Sequence, residues 1–566
     1  MSLFHKVLGD TGRELYLYYP GEQNRTPFKR CSITFLLDKC RGTDVKELLD
    51  GCGLAGFADK NGIILSFPVP GRCGWNYKME AGKEEDVWAF QRFQDAMAKP
   101  DSLPLETDAI GIPTFEAMMG TWHPMNDTKY LVGTGTGASM AYTLAACCPD
   151  NIAAVLAVGG ELDAAALEKA VYSPIPVSIV RGGKMAADYF IKANNAEKTE
   201  ENSSRTVYKS RANPLQCVVL DHTDSELDSG LIMKVWDRMF SKVRRPNTGA
   251  HGDCEPRMDF ERSGFEYFIE DVRIDGTPHT WFTHVPPRAG KKPEKKLPLL
   301  MFFHGGSDNP AEAAEMSKFH QLGEREGFIT VYPWGTNRCS WNSEMVPELE
   351  DDAGFAAALI KYMTENYPVD PGRVYLSGFS NGAAFAQSVA LANPRLVAGI
   401  CPIDSNWPGE RLGASKVDWR DIIPFANGMK KKEEYDYRIP VWYIYGSREP
   451  SYPVYNGCTQ QHQYDFWKMY NNIEIKPTPE RENPDPTGCG VKGDRSELLV
   501  PSVRHPHHQY DVQRFYSRDE QPLNLYNFVI MREKGHDIAQ MDAELGWNFV
   551  KQFRRNCDGS LGFIQE

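Results

Sequence analysis

The sequence predicts an α/β protein built from two tandem copies of one domain, each a mostly parallel sheet with helices on both faces. Three observations predict it. Short apolar runs that read as strands buried on both faces alternate with longer helical patterns, the signature of a parallel sheet. The same small motifs recur in the same order in both halves of the chain. One stretch, Val374-Tyr375-Leu376-Ser377-Gly378-Phe379-Ser380-Asn381-Gly382-Ala383-Ala384-Phe385-Ala386, begins as a β-rich run and ends as a small-residue helix.

The recurrence fixes the organisation. Gly62-Ile63-Ile64-Leu65-Ser66-Phe67-Pro68 and then Arg72-Cys73-Gly74-Trp75-Asn76 match Gly327-Phe328-Ile329-Thr330-Val331-Tyr332-Pro333 and then Arg338-Cys339-Ser340-Trp341-Asn342. Glu85-Asp86 pairs with Asp351-Asp352, Tyr130–Gly137 with Tyr375–Gly382, and Ile175-Pro176-Val177 with Ile439-Pro440-Val441. The halves close alike, on Phe240–Arg245 and Phe549–Arg555. Residues 1–245 are therefore read as one domain and 258–566 as the second. Residues 246–257 form a turn-rich linker between them.

Composition bounds the class. At 566 residues a single compact domain is not expected. An apolar content of 41% with 25% charged residues is that of a globular chain. A net charge of −13 argues against nucleic acid, which calls for a basic face. No apolar run reaches the roughly 18 residues of a membrane span, and the start lacks the apolar core of a secretory signal. The 13 cysteines are scattered without C-x-x-C spacing. That pattern predicts reduced thiols in a cytoplasmic protein and disfavours zinc.

In the first copy the chemistry is expected to be lost. Gly135 stands where Ser380 stands, and Asp38-Lys39-Cys40 is aligned with His304-Gly305-Gly306. Lys184 falls near the second copy's acid, and His222 marks the old histidine position or a plain loop histidine. Gly133-Thr134-Gly135-Thr136-Gly137 is a weak match to a dinucleotide loop, lacking the third glycine at the right spacing. The domain is expected to be non-catalytic, packing against or shaping access to its neighbour, with a surface for homo-oligomerisation.

The second copy is read in order. Phe265–Ile269 and His279–Thr283 open it as strands. Leu299–Phe303 is a strand buried on both faces, ending in His304-Gly305-Gly306, where glycines let a backbone N–H approach a substrate oxygen. Ala311–Gly327 is one amphipathic helix, Phe328–Tyr332 a strand, and Asp352–Tyr367 a helix. Asp370-Pro371-Gly372-Arg373 is a turn leading into the elbow. Gly378-Phe379-Ser380-Asn381-Gly382 fits G-x-S-x-G, whose strand-to-helix turn exposes a serine oxygen at the sheet edge beside free helix N–H groups. Gly306 and Asn381 are the expected oxyanion donors. In this layout the acid follows the nucleophile and the histidine comes last. Glu449, after strand Val441–Tyr445, is the acid candidate, with Asp404 its competitor. His536, after strand Tyr526–Met531, is the base. Arg504-His505-Pro506-His507-His508 is read as a polar loop rather than a metal site.

Residues 258–556 resemble the polyhydroxybutyrate depolymerase and feruloyl esterase-like family of α/β hydrolases. The resemblance rests on His304-Gly305-Gly306, Tyr332-Pro333, Cys339-Ser340-Trp341-Asn342, Asp351–Phe355, Val369–Tyr375 running into the elbow, and Gly535-His536. It implies a Ser380, Glu449, His536 triad and cleavage of feruloyl or acetyl carbohydrate esters or hydroxyalkanoate polyesters. Glu449 departs from the usual aspartate, and the charged stretch between Ile473 and Asp511 reads as an addition bordering the active-site mouth. The resulting expectation is tandem α/β-hydrolase domains, the second a serine carboxylesterase needing no metal or organic cofactor. Its expected partner is a small or oligomeric ester, not nucleic acid or membrane. Trp341 is a candidate contact for an aromatic or sugar moiety, or else a core residue. A serine peptidase of the prolyl-oligopeptidase type and a non-catalytic carbohydrate- or partner-binding scaffold are the alternatives.

Overall fold

A computed structural model describes residues 2–7, 12–20, 28, 31–81, 86, 127–249, 251–287, 296–306, 308–336, 340–405, 437–449, 452–480, 489–503 and 505–564. The chain divides into two compact units, Met1–Met258 and Asp259–Glu566.

The first unit carries a ten-stranded sheet. Its strands are β1 (Ser2–Val7), β2 (Glu14–Tyr19), β3 (Cys31–Leu36), β4 (Ile63–Pro68), β5 (Lys129–Thr134), β6 (Ala154–Val158), β7 (Val177–Val180), β8 (Ala196–Glu201), β9 (Arg205–Ser210) and β10 (Cys217–Asp221). They lie in the order β1-β2-β4-β3-β5-β6-β7-β10-β9-β8. The centre, from β4 to β10, is parallel, and both margins are antiparallel. A small hairpin of β11 (Val243–Arg244) and β12 (Glu255–Pro256) closes the unit.

The second unit repeats the plan. Its strands are β13 (Glu266–Asp271), β14 (His279–His284), β15 (Leu297–Phe303), β16 (Ile329–Pro333), β17 (Val369–Phe379), β18 (Gly399–Ile403), β19 (Val441–Gly446), β20 (Arg495–Leu499), β21 (Tyr510–Tyr516) and β22 (Asn524–Met531). Their order is β13-β14-β16-β15-β17-β18-β19-β22-β21-β20, the first sheet's order with every label raised by twelve. The run Leu299–Phe303 is wholly buried, as a strand covered on both faces must be. A two-stranded ribbon of β23 (Phe553–Arg555) and β24 (Leu561–Phe563) follows the last helix.

Matching tertiary bonds accompany the matching topology. Tyr130 donates its hydroxyl to the Val243 carbonyl at 2.7 Å, and Tyr375 donates to Phe553 at 2.6 Å. The buried Arg245 Nε donates to Ile152 O at 2.9 Å, and Arg555 Nε to Val397 O at 2.7 Å. Trp75 Nε1 reaches Leu37 O at 2.8 Å, and Trp341 Nε1 reaches His304 O at 3.0 Å.

Three expectations need correction. The helix expected over Ala311–Gly327 is two, Pro310–Ser317 and Phe319–Glu326, because Lys318 adopts a left-handed backbone (φ 54°) that ends one and begins the other. Asp370–Arg373 is not a separate turn but lies inside the long β17, where the register against β15 shifts. Within the charged stretch after Ile473, β20 and β21 form the same antiparallel sheet margin that β8 and β9 form in the first unit, but by a longer route: β20 starts at Arg495 after a helix ending at Tyr470, whereas β8 starts at Ala196 after a helix ending at Ala193; residues 481–488 and 504 lie outside the described residues. The expected linker is bound into the first unit. Arg244 bridges Asp127 and Glu255, Arg245 donates to Gly252 O, and Thr248 donates to Asp253.

The twelve described cysteines are free thiols. Among the described residues no helix is long and apolar enough to cross a membrane.

Candidate active site

The site is assembled at the carboxyl edge of the second sheet, where β15, β17, β18, β19 and β22 end side by side. Strand β17 delivers Ser380, which takes φ 52° and ψ −119° before the helix Asn381–Ala392 begins. A non-glycine residue in this region is strained, and the surroundings must hold it there. They do so by close approach: a Cβ on Gly382 would stand 2.2 Å from His304 O and 2.3 Å from Phe303 O, so the helix starts almost against the end of β15. The Asn381 side chain fixes the same corner. Its Oδ1 accepts from Trp341 N at 2.7 Å, and its Nδ2 donates to Trp341 O and Ser343 Oγ, both at 3.3 Å.

The glycine loop after β15 is equally constrained. Gly305 N–H is committed to Asp308 Oδ2 at 3.1 Å, and Gly306 follows at a partly exposed turn. His304 faces inward: Gly335 N donates to its Nε2 at 3.0 Å, so its Nδ1 carries the proton and donates to Gly305 O at 2.7 Å. Burial pushes its pKa down to about 4, which keeps it neutral. His304 is thus a structural brace rather than an acid–base group.

His536, on the loop after β22, is joined to Glu449, on the turn after β19, by a 2.6 Å bond between Nδ1 and Oε1. Glu449 keeps 7% of its side-chain surface, whereas the imidazole keeps 49% and so has an open face. Dense surroundings favour the neutral ring, but the bond to Glu449 and its charge outweigh them, and the pKa lies above the ordinary 6.5. The imidazole packs on Phe379 with ring centroids 4.8 Å apart. Phe379 directly precedes Ser380, and a Cβ on Gly305 would meet the same ring at 2.9 Å. The phenyl ring of the residue before the elbow serine therefore lies against both the glycine loop and the histidine.

Of the two acids weighed, Glu449 is the one bonded to His536. Asp404 is occupied elsewhere, with Lys534 Nζ at 2.8 Å and Gly446 N at 2.9 Å. Trp341 needs correction as a substrate contact. It is 1% exposed, stacked on Phe385 and bonded to His304 O, so it is a core residue that ties the loop to the elbow. Sequence reasoning did not anticipate the bridging role of Phe379, because the second position of G-x-S-x-G is free in the pattern. It also missed the ion pairing of Lys534, which no local spacing signals.

The corresponding edge of the first unit has a different content. Gly135 has the same φ 52° and ψ −119° as Ser380. Strand pairing sets Leu36 opposite Gly133 and Phe303 opposite Gly378, so Asp38 corresponds to Gly305, one residue on from the alignment made with His304. Asp38 Oδ1 accepts from Thr136 N at 2.5 Å, at the head of the helix Thr136–Cys147. A Cβ on Gly135 would lie 1.9 Å from its other oxygen. His222 does not mirror His536; it bonds Thr206 Oγ1 on the neighbouring strand at 2.9 Å.

Residues 280–413 match the family model described as Esterase PHB depolymerase. A bifunctional acetylxylan esterase/xylanase from Neocallimastix patriciarum is 25% identical over 34% of this chain and 25% of its own length. A poly(3-hydroxyalkanoate) depolymerase from Paucimonas lemoignei is 30% identical over 22% of this chain and 30% of its own. The chain thus spans about a quarter to a third of the length of these relatives. Among solved structures, an acetyl xylan esterase from Aspergillus awamori aligns over 51% of this chain and 98% of its own, at 13% identity and a TM-score of 0.36.

Proposed function

We propose that the second unit, which carries the esterase depolymerase match, is a serine carboxylesterase acting through a covalent acyl-enzyme. The observation that carries this reading is the Phe379 ring, which sits beside Ser380 in the chain and against the imidazole of a His536 already bonded to Glu449. With Nδ1 on Glu449, Nε2 is the nitrogen left to take the Ser380 proton as Oγ attacks the ester carbonyl. The Gly306 and Asn381 N–H groups receive the oxyanion, a pair in which each donor is worth about 10²–10³ in rate. Collapse expels the alcohol, protonated by His536, and leaves the acyl group on Ser380. Water, deprotonated by His536, then releases the acid and restores Ser380. Protein groups supply every step, so no metal or organic cofactor is required.

The substrates proposed are acetyl or feruloyl carbohydrate esters or hydroxyalkanoate oligoesters, following the names of the relatives. The first unit is proposed to be non-catalytic, since Gly135 offers no hydroxyl and Asp38 occupies the helix N–H that would receive an oxyanion.

The test is Ser380→Ala. Turnover of p-nitrophenyl acetate and labelling by a fluorophosphonate are both expected to vanish while the circular dichroism spectrum stays unchanged. Full turnover in that variant would refute the assignment. Peptide cleavage without ester cleavage would favour the peptidase alternative, and an unlabelled unsubstituted protein would favour the scaffold. A screen of feruloyl, acetyl and 3-hydroxybutyrate esters identifies the acyl group.

A further inference from the structure

Below the proposed catalytic histidine lies a charge cluster that the mechanism above does not use. Asp404, at the end of β18, is fully buried and holds a left-handed backbone (φ 48°). Lys534, two residues before His536, is equally buried and lies 2.8 Å from Asp404 and 3.2 Å from Asp542. Burial alone would strip the charge from Lys534, but the two carboxylates outweigh it and raise its pKa. Asp542 is independently satisfied by Tyr510 Oη and Ala539 N, both at 2.9 Å.

Asp404 joins three segments of the site. Its Oδ1 accepts from Gly446 N at 2.9 Å, where the turn bearing Glu449 begins. Its Oδ2 accepts from Lys534 Nζ and, at 3.3 Å, from Asp537 N, so it grips the histidine loop on both sides of His536. The loop and the turn are also bonded to each other, Arg448 N to Lys534 O at 2.9 Å. Ligand atoms of Asp404, Glu449 and His536 all fall within 4.8 Å of one another, so a second carboxylate stands near the imidazole.

We propose that Asp404 is a positioning residue for the hydrolytic reaction. It holds His536 and Glu449 in register at the sheet edge, and its ionised form favours the imidazolium that forms when Ser380 loses its proton. Burial pushes the Asp404 carboxyl up to about 7 against the pull of Lys534, so this charge is present above that pH. The inference rests on the esterase reading of the site. The charged groups facing His536 are Glu449 from the turn after β19, Asp404 from the end of β18 and Lys534 from its own loop, with Asp542 behind Lys534. The base must be neutral to act, and a nearby carboxylate raises the pH at which it loses its proton. Removing that carboxylate should move the acidic limb of activity to lower pH.

The experiment uses the full chain. Asp404→Asn leaves Lys534 paired with Asp542, so no ammonium is orphaned. Its kcat for p-nitrophenyl acetate is expected to fall about 10- to 100-fold, the range a small misplacement costs. KM should change by less than about 3-fold, since an interaction specific to the transition state is lost. The acidic limb of kcat/KM should shift to lower pH. As a guard against misfolding, the double variant Asp404→Leu/Lys534→Met removes both charges together, a change that buried ion pairs often tolerate. It should fold and lose kcat to a similar extent. Fluorophosphonate labelling of the unsubstituted protein separates the two claims. No label overturns the esterase reading itself. Label together with unchanged kcat and an unmoved limb in both variants overturns the role of Asp404 alone.

Discussion

Ser380 and Gly135 share one backbone geometry but differ in their immediate neighbours. Beside Ser380 the loop offers Gly305; beside Gly135 it offers Asp38, whose carboxylate fills the space that a serine Cβ would need. The two substitutions compensate each other. Gly135→Ser alone is therefore expected to lower stability by about 1–3 kcal/mol, the range for overpacking. Gly135→Ser with Asp38→Gly should recover most of that loss, a coupling that a double-mutant cycle by chemical denaturation would measure. Much of the candidate site was legible in the sequence. The elbow serine, the late histidine and the glutamate carried their order and flanking strands with them. Asp404 and Lys534 were not legible as a pair, because 130 positions separate them and only the folded sheet edge brings their charges together. Trp341 was misleading for a related reason: an indole near an active edge looks the same in sequence whether it faces substrate or braces a loop.

At the level of elements, the helix Asn381–Ala392 positions the site by starting where it does. Its alanine-rich face packs close to the sheet, and Gly382 allows contact with the carbonyls ending β15. Gly382→Ala is expected to push the elbow away from the glycine loop. Esterase activity should drop at least about 10²-fold, as for a displaced catalytic group, and thermal denaturation should show a lowered Tm. The strands were legible wherever they were apolar and covered on both faces, as in β15 and β19. The sheet margins were harder to read. The charged, half-exposed β20 has no apolar signature, and only its pairing with β21 identifies it as an element. The break at Lys318 was hidden as well, since lysine gives no warning of a left-handed turn.

At the level of the whole molecule, two sheets with one strand order carry different edges. The repeat was visible in sequence because glycines, tryptophans and prolines at turns are held by geometry, whereas strand residues interchange freely among apolar types. The alignment at the first glycine loop slipped by one residue because Asp38 has no counterpart in type, and strand register alone places it.

The identical bend at Gly135 and Ser380 has a consequence of its own. The first unit keeps the bend without a hydroxyl, so the architecture, and not the chemistry, demands it. The serine then sits in a conformation comfortable only for glycine, a standing cost of about 1–3 kcal/mol. Ser380→Gly should accordingly melt at a higher temperature than the unsubstituted protein while losing all turnover. Differential scanning calorimetry would read that difference as the stability the protein forgoes by keeping a hydroxyl at that corner.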